Sequence, residues 1–256
     1  MLFRSLESFG ELSKAVFRHC AWDWNENGIF VPDNSVGSPG EFVNVRFEEC
    51  DFGLRRSNGQ SGDGRDHNFY INGPLLEIID CHGYGTVPSE TYGGYDAGNT
   101  YKARAKKVLL SGGYCETGAG RWLDRPKGGE TTIQNVILSQ RPGAFGNCFG
   151  YANEVNPTDE LAQGAYDTYF NNCQIYINRY ESTIWNQRPG TTVRFTDCPV
   201  TFCKWNQGDV KPNINLQGPG DIVGIEYLSK PGDNDYAAPP TRPGSIAQPG
   251  YVPHWP

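Results

Sequence analysis

The sequence predicts an all-β solenoid: a right-handed, single-stranded parallel β-helix of about seven coils. Three observations carry that reading. A motif of apolar-x-apolar, then polar residues, then one small residue recurs along the chain. Glycine and proline, 32 and 18 of 256 residues, supply frequent turns. Few runs place apolar residues at i, i+3, i+4 and i+7, so helix is scarce.

The elements follow in chain order. Residues 1–15 form an expected N-terminal cap, with SLESFGELSKAV (Ser5–Val16) as a short amphipathic helix over the open end of the core. Residues 16–207 carry the repeats: VFRHC (Val16–Cys20), VRFEECDF (Val45–Phe52), LEIIDCHG (Leu76–Gly83), KVLLSGGY (Lys107–Tyr114), TTIQNVIL (Thr131–Leu138), TYFNNCQI (Thr168–Ile175) and VRFTDCPV (Val193–Val200). No such unit buries its own apolar face, so stacking makes the core. Cys20, Cys50, Cys81, Cys173 and Cys198 share one position, with Gly112 and Val136 as its counterparts. A small buried hydrophobe suits an inward stack, so these thiols are expected to be reduced and structural. The alternative fold is a β-sandwich, which turns at shorter intervals. From 208 to 256 the chain becomes rich in Pro, Gly, Asn and Asp, an extended tail that packs on the coils or reaches a partner.

Composition narrows the function. A formal net charge of -7 argues against nucleic acid as the main partner. No run of about 18 apolar residues exists, so no membrane span is expected. The N-terminus lacks the apolar core of a signal peptide. The cysteines form no CxxC pair of a zinc site. No cofactor is expected; Asp63 in a GDG turn is the one candidate calcium ligand, with a plain turn as its competing reading.

Four polar stretches fall in successive coils: GDGRDHNFYI (Gly62–Ile71), YKARA (Tyr101–Ala105), LDRPKGG (Leu123–Gly129) and GNCFGYANE (Gly146–Glu154). Coil stacking would bring their side chains to one outer groove: His67 and Asn68, Lys102 and Arg104, Asp124, Arg125 and Lys127, then Tyr151 and Glu154. The glycines of KGG (Gly128, Gly129) read as a tight corner with positive φ.

Within these stretches HNFY, KARA, DRPKGG and FGYANE resemble, in order, the HNIY, KSRA, DLPNGG and YGxEG-like segments of a group of right-handed parallel β-helix repeat proteins in the pectin-lyase-like superfamily. The resemblance covers roughly Val45 to Glu154. Ala103 stands where that group has serine, and Arg125 where it has an apolar residue. The resemblance implies a β-helix and, through the wider superfamily, lyase or hydrolase action on polysaccharides.

A lyase on a uronate polymer must neutralise a carboxylate, abstract the adjacent carbon-bound proton and assist the leaving oxygen. Arg104 is the candidate carboxylate ligand and Lys102 the candidate base, with like-charge repulsion from Arg104 and Lys106 favouring its neutral form. His67 or Tyr151 would supply the leaving-group proton. Asn68, Asp124, Arg125, Lys127 and Glu154 would line the substrate. A competing reading makes the cations a solvated strand face paired to Asp124 or Glu154. A hydrolase would instead use Asp124 and Glu154 as its two carboxylates. Trp22, Trp24, Trp122, Trp185 and Trp205 suit sugar stacking or loop packing. The second functional class is a non-catalytic structural or adhesive subunit of a viral tail spike or surface filament, associating through solenoid ends or the tail. Either class is expected outside the cell, or on a virion or cell surface.

Overall fold

The computed structural model describes residues 14–22, 29–31, 44–53, 67–85, 98–117, 120–140, 147–152, 164–177, 182–203, 214–228, 237–238 and 240–252. Among these residues the fold is all-β, with no helix and three parallel sheets. Sheet A stacks β1 (Lys14–Arg18), β4 (Asn44–Glu48), β7 (Leu75–Ile79), β10 (Lys107–Ser111), β13 (Glu130–Gln134), β16 (Thr168–Asn171), β19 (Thr192–Thr196) and β22 (Asp221–Val223). Sheet B stacks β2 (Ala21–Trp22), β5 (Asp51–Phe52), β8 (His82–Gly83), β11 (Tyr114–Thr117), β14 (Ile137–Gln140), β17 (Gln174–Ile177), β20 (Pro199–Phe202) and β23 (Glu226–Tyr227). Sheet C stacks β3 (Phe30–Val31), β6 (Phe69–Ile71), β9 (Tyr101–Ala103), β12 (Leu123–Arg125), β15 (Asn147–Tyr151), β18 (Ser182–Asn186) and β21 (Ile214–Gln217). The chain visits A, B and C in rotation, adding one strand to each. That is a solenoid compatible with a parallel β-helix.

Period-two patterning builds the core. Val45 and Phe47 in β4, Leu76 and Ile78 in β7, and Val108 and Leu110 in β10 point inward and are buried, while their neighbours face out. Register then stacks like on like. Phe47 lies on Phe17 at 5.2 Å, Phe69 on Tyr101 at 4.6 Å and Phe170 on Phe195 at 4.4 Å, and across the core Phe47 of sheet A meets Phe69 of sheet C at 5.6 Å. Each buried ring contributes about 1.5–3 kcal/mol of transfer free energy, so the aromatic column is a main source of stability.

The corner from sheet A to sheet B is the repeat motif. His19, Glu49, Asp80, Asn135, Asn172 and Asp197 take φ between 49° and 56°, and Gly112 takes 72°. One left-handed residue turns the chain, and the next position faces inward: Cys20, Cys50, Cys81, Gly113, Val136, Cys173 and Cys198. Gly113, rather than the expected Gly112, stands at the cysteine position, because Gly112 occupies the left-handed post. Five thiols close the turn by donating to the carbonyl two residues back: Cys20 to Arg18 and Cys50 to Glu48 at 3.2 Å, Cys81 to Ile79 at 3.2 Å, Cys173 to Asn171 at 3.5 Å and Cys198 to Thr196 at 3.1 Å. All eight cysteines are free thiols, seven of them buried.

Two ends differ from expectation. Lys14–Val16 belong to strand β1, so they are not helix; residues 1–13 of the expected cap lie outside the described residues. Past Gly208 the sheets continue through β21, β22 and β23. Residues 240–252 then lie against the outer face of sheet B. Buried Asp51 accepts from Ser245 Oγ at 2.6 Å, Ala247 N at 2.8 Å and Ile246 N at 3.2 Å. Buried Glu116 accepts both arms of Arg242, at 2.7 and 3.0 Å.

Candidate functional site

The outer face of sheet C carries one register row: Tyr70 on β6, Lys102 on β9, Asp124 on β12, Gly150 on β15 and Trp185 on β18. Four strand steps separate Tyr70 from Trp185, about 19 Å. The fold thus brings Lys102 and Asp124 side by side.

At the Tyr70 end two cations share one ring. Lys102 Nζ stands 5.1 Å and Arg104 Cζ 4.9 Å from the Tyr70 centroid. The Arg104 backbone N–H donates to the Ile71 carbonyl at 2.8 Å, which fixes the turn after β9 beside β6.

His67 sits next to this pair and is 7% exposed. Its Nδ1 accepts the Asn99 backbone N–H at 2.8 Å. An amide N–H only donates, so the ring proton of the neutral form is on Nε2. Burial, and then the charges of Lys102, Arg104 and Arg121, hold the ring's pKa down to about 3. His67 is a neutral Nε2–H donor at physiological pH.

Asp124 is buried and fully engaged. Oδ1 accepts Arg121 Nη1 at 2.6 Å, and Oδ2 accepts Asn99 Nδ2 at 3.3 Å. Asn99 also accepts the Arg121 backbone N–H at 2.9 Å, so one amide side chain orients both members of the ion pair. The Arg121 guanidinium then lies 4.7 Å from the Trp185 ring. It crosses the strand at Gly150, where a Cβ would stand 2.7 Å from Arg121 Nε. Only glycine leaves that path open.

Nothing in the periodicity of GRWLD marks Arg121 or Asn99, because both precede their strands. No family model, curated protein or solved structure matches this chain.

Several expected site residues are placed elsewhere. Arg125 alternates with Asp124 and points inward, with no exposed surface. Its Nη1 and Nη2 each donate at 2.7 Å, to the Ala103 and Ala105 carbonyls, and Nε donates to Thr131 Oγ1 at 2.9 Å. Burial lowers its pKa to about 10, so it stays charged. Tyr151 is also buried, its hydroxyl 2.6 Å from the Tyr166 carbonyl and 3.2 Å from that of Gly129. Burial pushes that phenol up to about 12.

Lys127 stands in the turn leaving sheet C, where its carbonyl accepts Arg188 Nη2 at 3.2 Å. Gly128 and Gly129 beside it take positive φ, as a tight corner requires. Asn68 flanks His67 and is 8% exposed. Glu154, Asp63, Trp24 and Trp205 lie outside the described residues. Trp22 and Trp122 are buried. Among the described residues no cluster of His, Cys, Asp or Glu could hold a metal ion.

Proposed function

We propose that the outer face of sheet C binds an anionic, uronate-containing polysaccharide and cleaves it by β-elimination, on a right-handed parallel β-helix. The observation that carries this reading is the alternation along the groove. Lys102, Arg104 and Arg121 are cations held in adjoining coils between the rings of Tyr70 and Trp185. Aromatic faces suit pyranose rings, and the cations suit their carboxylates.

In the proposed reaction Arg104 and Arg121 bind uronate carboxylates, stabilising negative charge as the α-carbon is deprotonated. Neutral Lys102 removes the C5 proton. The C5–H electrons form the C4=C5 double bond, and the C4–O bond breaks with its pair on the leaving oxygen. The Lys102 ammonium returns the proton to that oxygen, while His67 Nε2–H donates a hydrogen bond to it. Tyr151 takes no part, its hydroxyl being committed to backbone carbonyls. Hydrolysis is disfavoured, since Arg121 keeps Asp124 ionised and unsuited to act as an acid. Such a polymer places the protein outside the cell or on a virion or cell surface.

A panel of anionic polysaccharides tests this by the ultraviolet absorbance of new unsaturated ends. Wild-type protein is expected to generate them on at least one polymer. Lys102→Ala should abolish the signal, and Arg104→Ala should lower kcat/KM by about 10²-fold or more with the fold intact. Binding without unsaturated ends would leave the groove an adhesive site on a structural subunit. Neither binding nor product on any polymer would sink both readings of the groove.

A further inference from the structure

We propose that the last coil is a docking surface for the first coil of a second copy of this chain, stacked head to tail. The inward rows lead to it. Along sheet B, Phe52, Cys115, Leu138, Ile175 and Val200 occupy one inward row and are buried, but Tyr227, next in that row, is 40% exposed. In sheet C the buried Ile184 is followed by Leu216 at 43%. Among the described residues no further strand covers the apolar interior beyond β21 and β23. β22 and β23 are also edge strands, each paired on one side only among the described strands. An edge of that kind is a template for another strand.

The first coil has the matching surface. β1 and β2 are the opposite edges of the same two sheets. Carrying the observed register one strand further sets β1 on β22 and β2 on β23. Ala15 then continues the inward row that ends at Ile222. Lys14 of one copy meets Asp221 of the other, a cation on a carboxylate, both at exposed positions. Val16 and Val223, 41% and 42% exposed, meet on the outer face. A second copy fits because its first coil has the same rise, strand polarity and row spacing as the coil it would follow.

Such a contact uses two different patches, so it does not close on itself and builds rods of copies. It is independent of what the sheet C groove does, and each copy would add another groove along the rod.

Sedimentation velocity over a concentration series, with electron microscopy of the same samples, tests the proposal on the full chain. The sedimentation coefficient should rise with concentration, and rods one solenoid wide should appear. Asp221→Lys and Lys14→Glu should each weaken association by about tenfold or more. An equimolar mixture of the two variants should recover it, because each unlike end then meets its opposite charge. A wild-type protein that stays monomeric throughout would overturn the proposal. So would association that neither variant weakens, or weakened association that mixing leaves unrecovered; both outcomes would indicate contact by another face.

Discussion

Arg125 shows how one residue sets the meaning of its neighbours. Ala103 and Ala105 are small and fully buried, and the guanidinium one coil on takes up both of their carbonyls. The alternation of β9 leaves Lys102 facing out for the groove while the alanines leave the interior to Arg125. Two effects compete when this side chain is replaced. Arg125→Met removes the cost of burying a charge. It also leaves two buried carbonyls and the Thr131 hydroxyl without their donor, at about 1–3 kcal/mol for each group. The second effect is the larger, so Arg125→Met should lose about 2–4 kcal/mol in urea denaturation. Arg125→Lys should lose about half as much, since an ammonium cannot fork between the same acceptors. An unchanged urea midpoint in Arg125→Met would show that the guanidinium contributes nothing net. This inward placement was legible in principle: with Asp124 facing out, period two turns Arg125 in. Charge type argued the other way, and only the carbonyls it meets resolve the conflict.

At the scale of the element, the corner between sheets A and B is where sequence and structure agree most closely. Its signal is local: two inward apolar residues, a left-handed residue that Asn and Asp tolerate, and a small side chain after it. Gly112 and Gly113 defeated alignment by composition, because both residue types at that corner are glycine and only register tells them apart. Sheet C was harder to read, since its strands are short, its preceding loops vary in length, and its pairing depends on contacts distant in sequence. The cysteine stack gives a direct test. Burial raises the thiols of Cys81 and Cys115, and that of Cys203 to about 11, while the hydrogen bond between Cys173 and Cys198 raises the first and lowers the second. Access decides the order: Cys20 is the one thiol of the eight that is not buried, so a thiol-reactive disulfide reagent should modify it first in native protein, and all eight in denaturant without reductant. Fewer than eight reactive thiols in denaturant would reveal disulfides and remove the reduced stack.

For the whole molecule, the C-terminal segment ties distant coils together. Its Pro-rich composition announced an extended chain, yet nothing in that composition named the surface it lies on. The partners are two carboxylates on sheet B, Asp51 and Glu116, that are otherwise unexplained burials in a strand face. They hold Ser245, Ile246, Ala247 and Arg242, and over them Tyr84 donates toward the Gly244 carbonyl at 3.1 Å. Tyr84 and Tyr114 form a small apolar cluster against which Tyr251 packs. Removing Asp51 therefore does two things at once: three donors of the segment lose their acceptor, and the segment loses its hold on the second coil. Asp51→Ala should free the C-terminus to protease while the sheets keep their far-ultraviolet circular dichroism. Arg242→Ala, which breaks the contact to Glu116 and leaves the Asp51 contacts in place, should give slower trimming than Asp51→Ala. The ordering follows from how the segment is held: Asp51 accepts donors from three of its residues, whereas Glu116 holds it through the Arg242 side chain. Equal protease resistance in all three proteins would mean that these carboxylates do not secure the segment. Unfolding of the sheets along with its release would mean that it is part of the solenoid's own stability rather than a strap laid upon it.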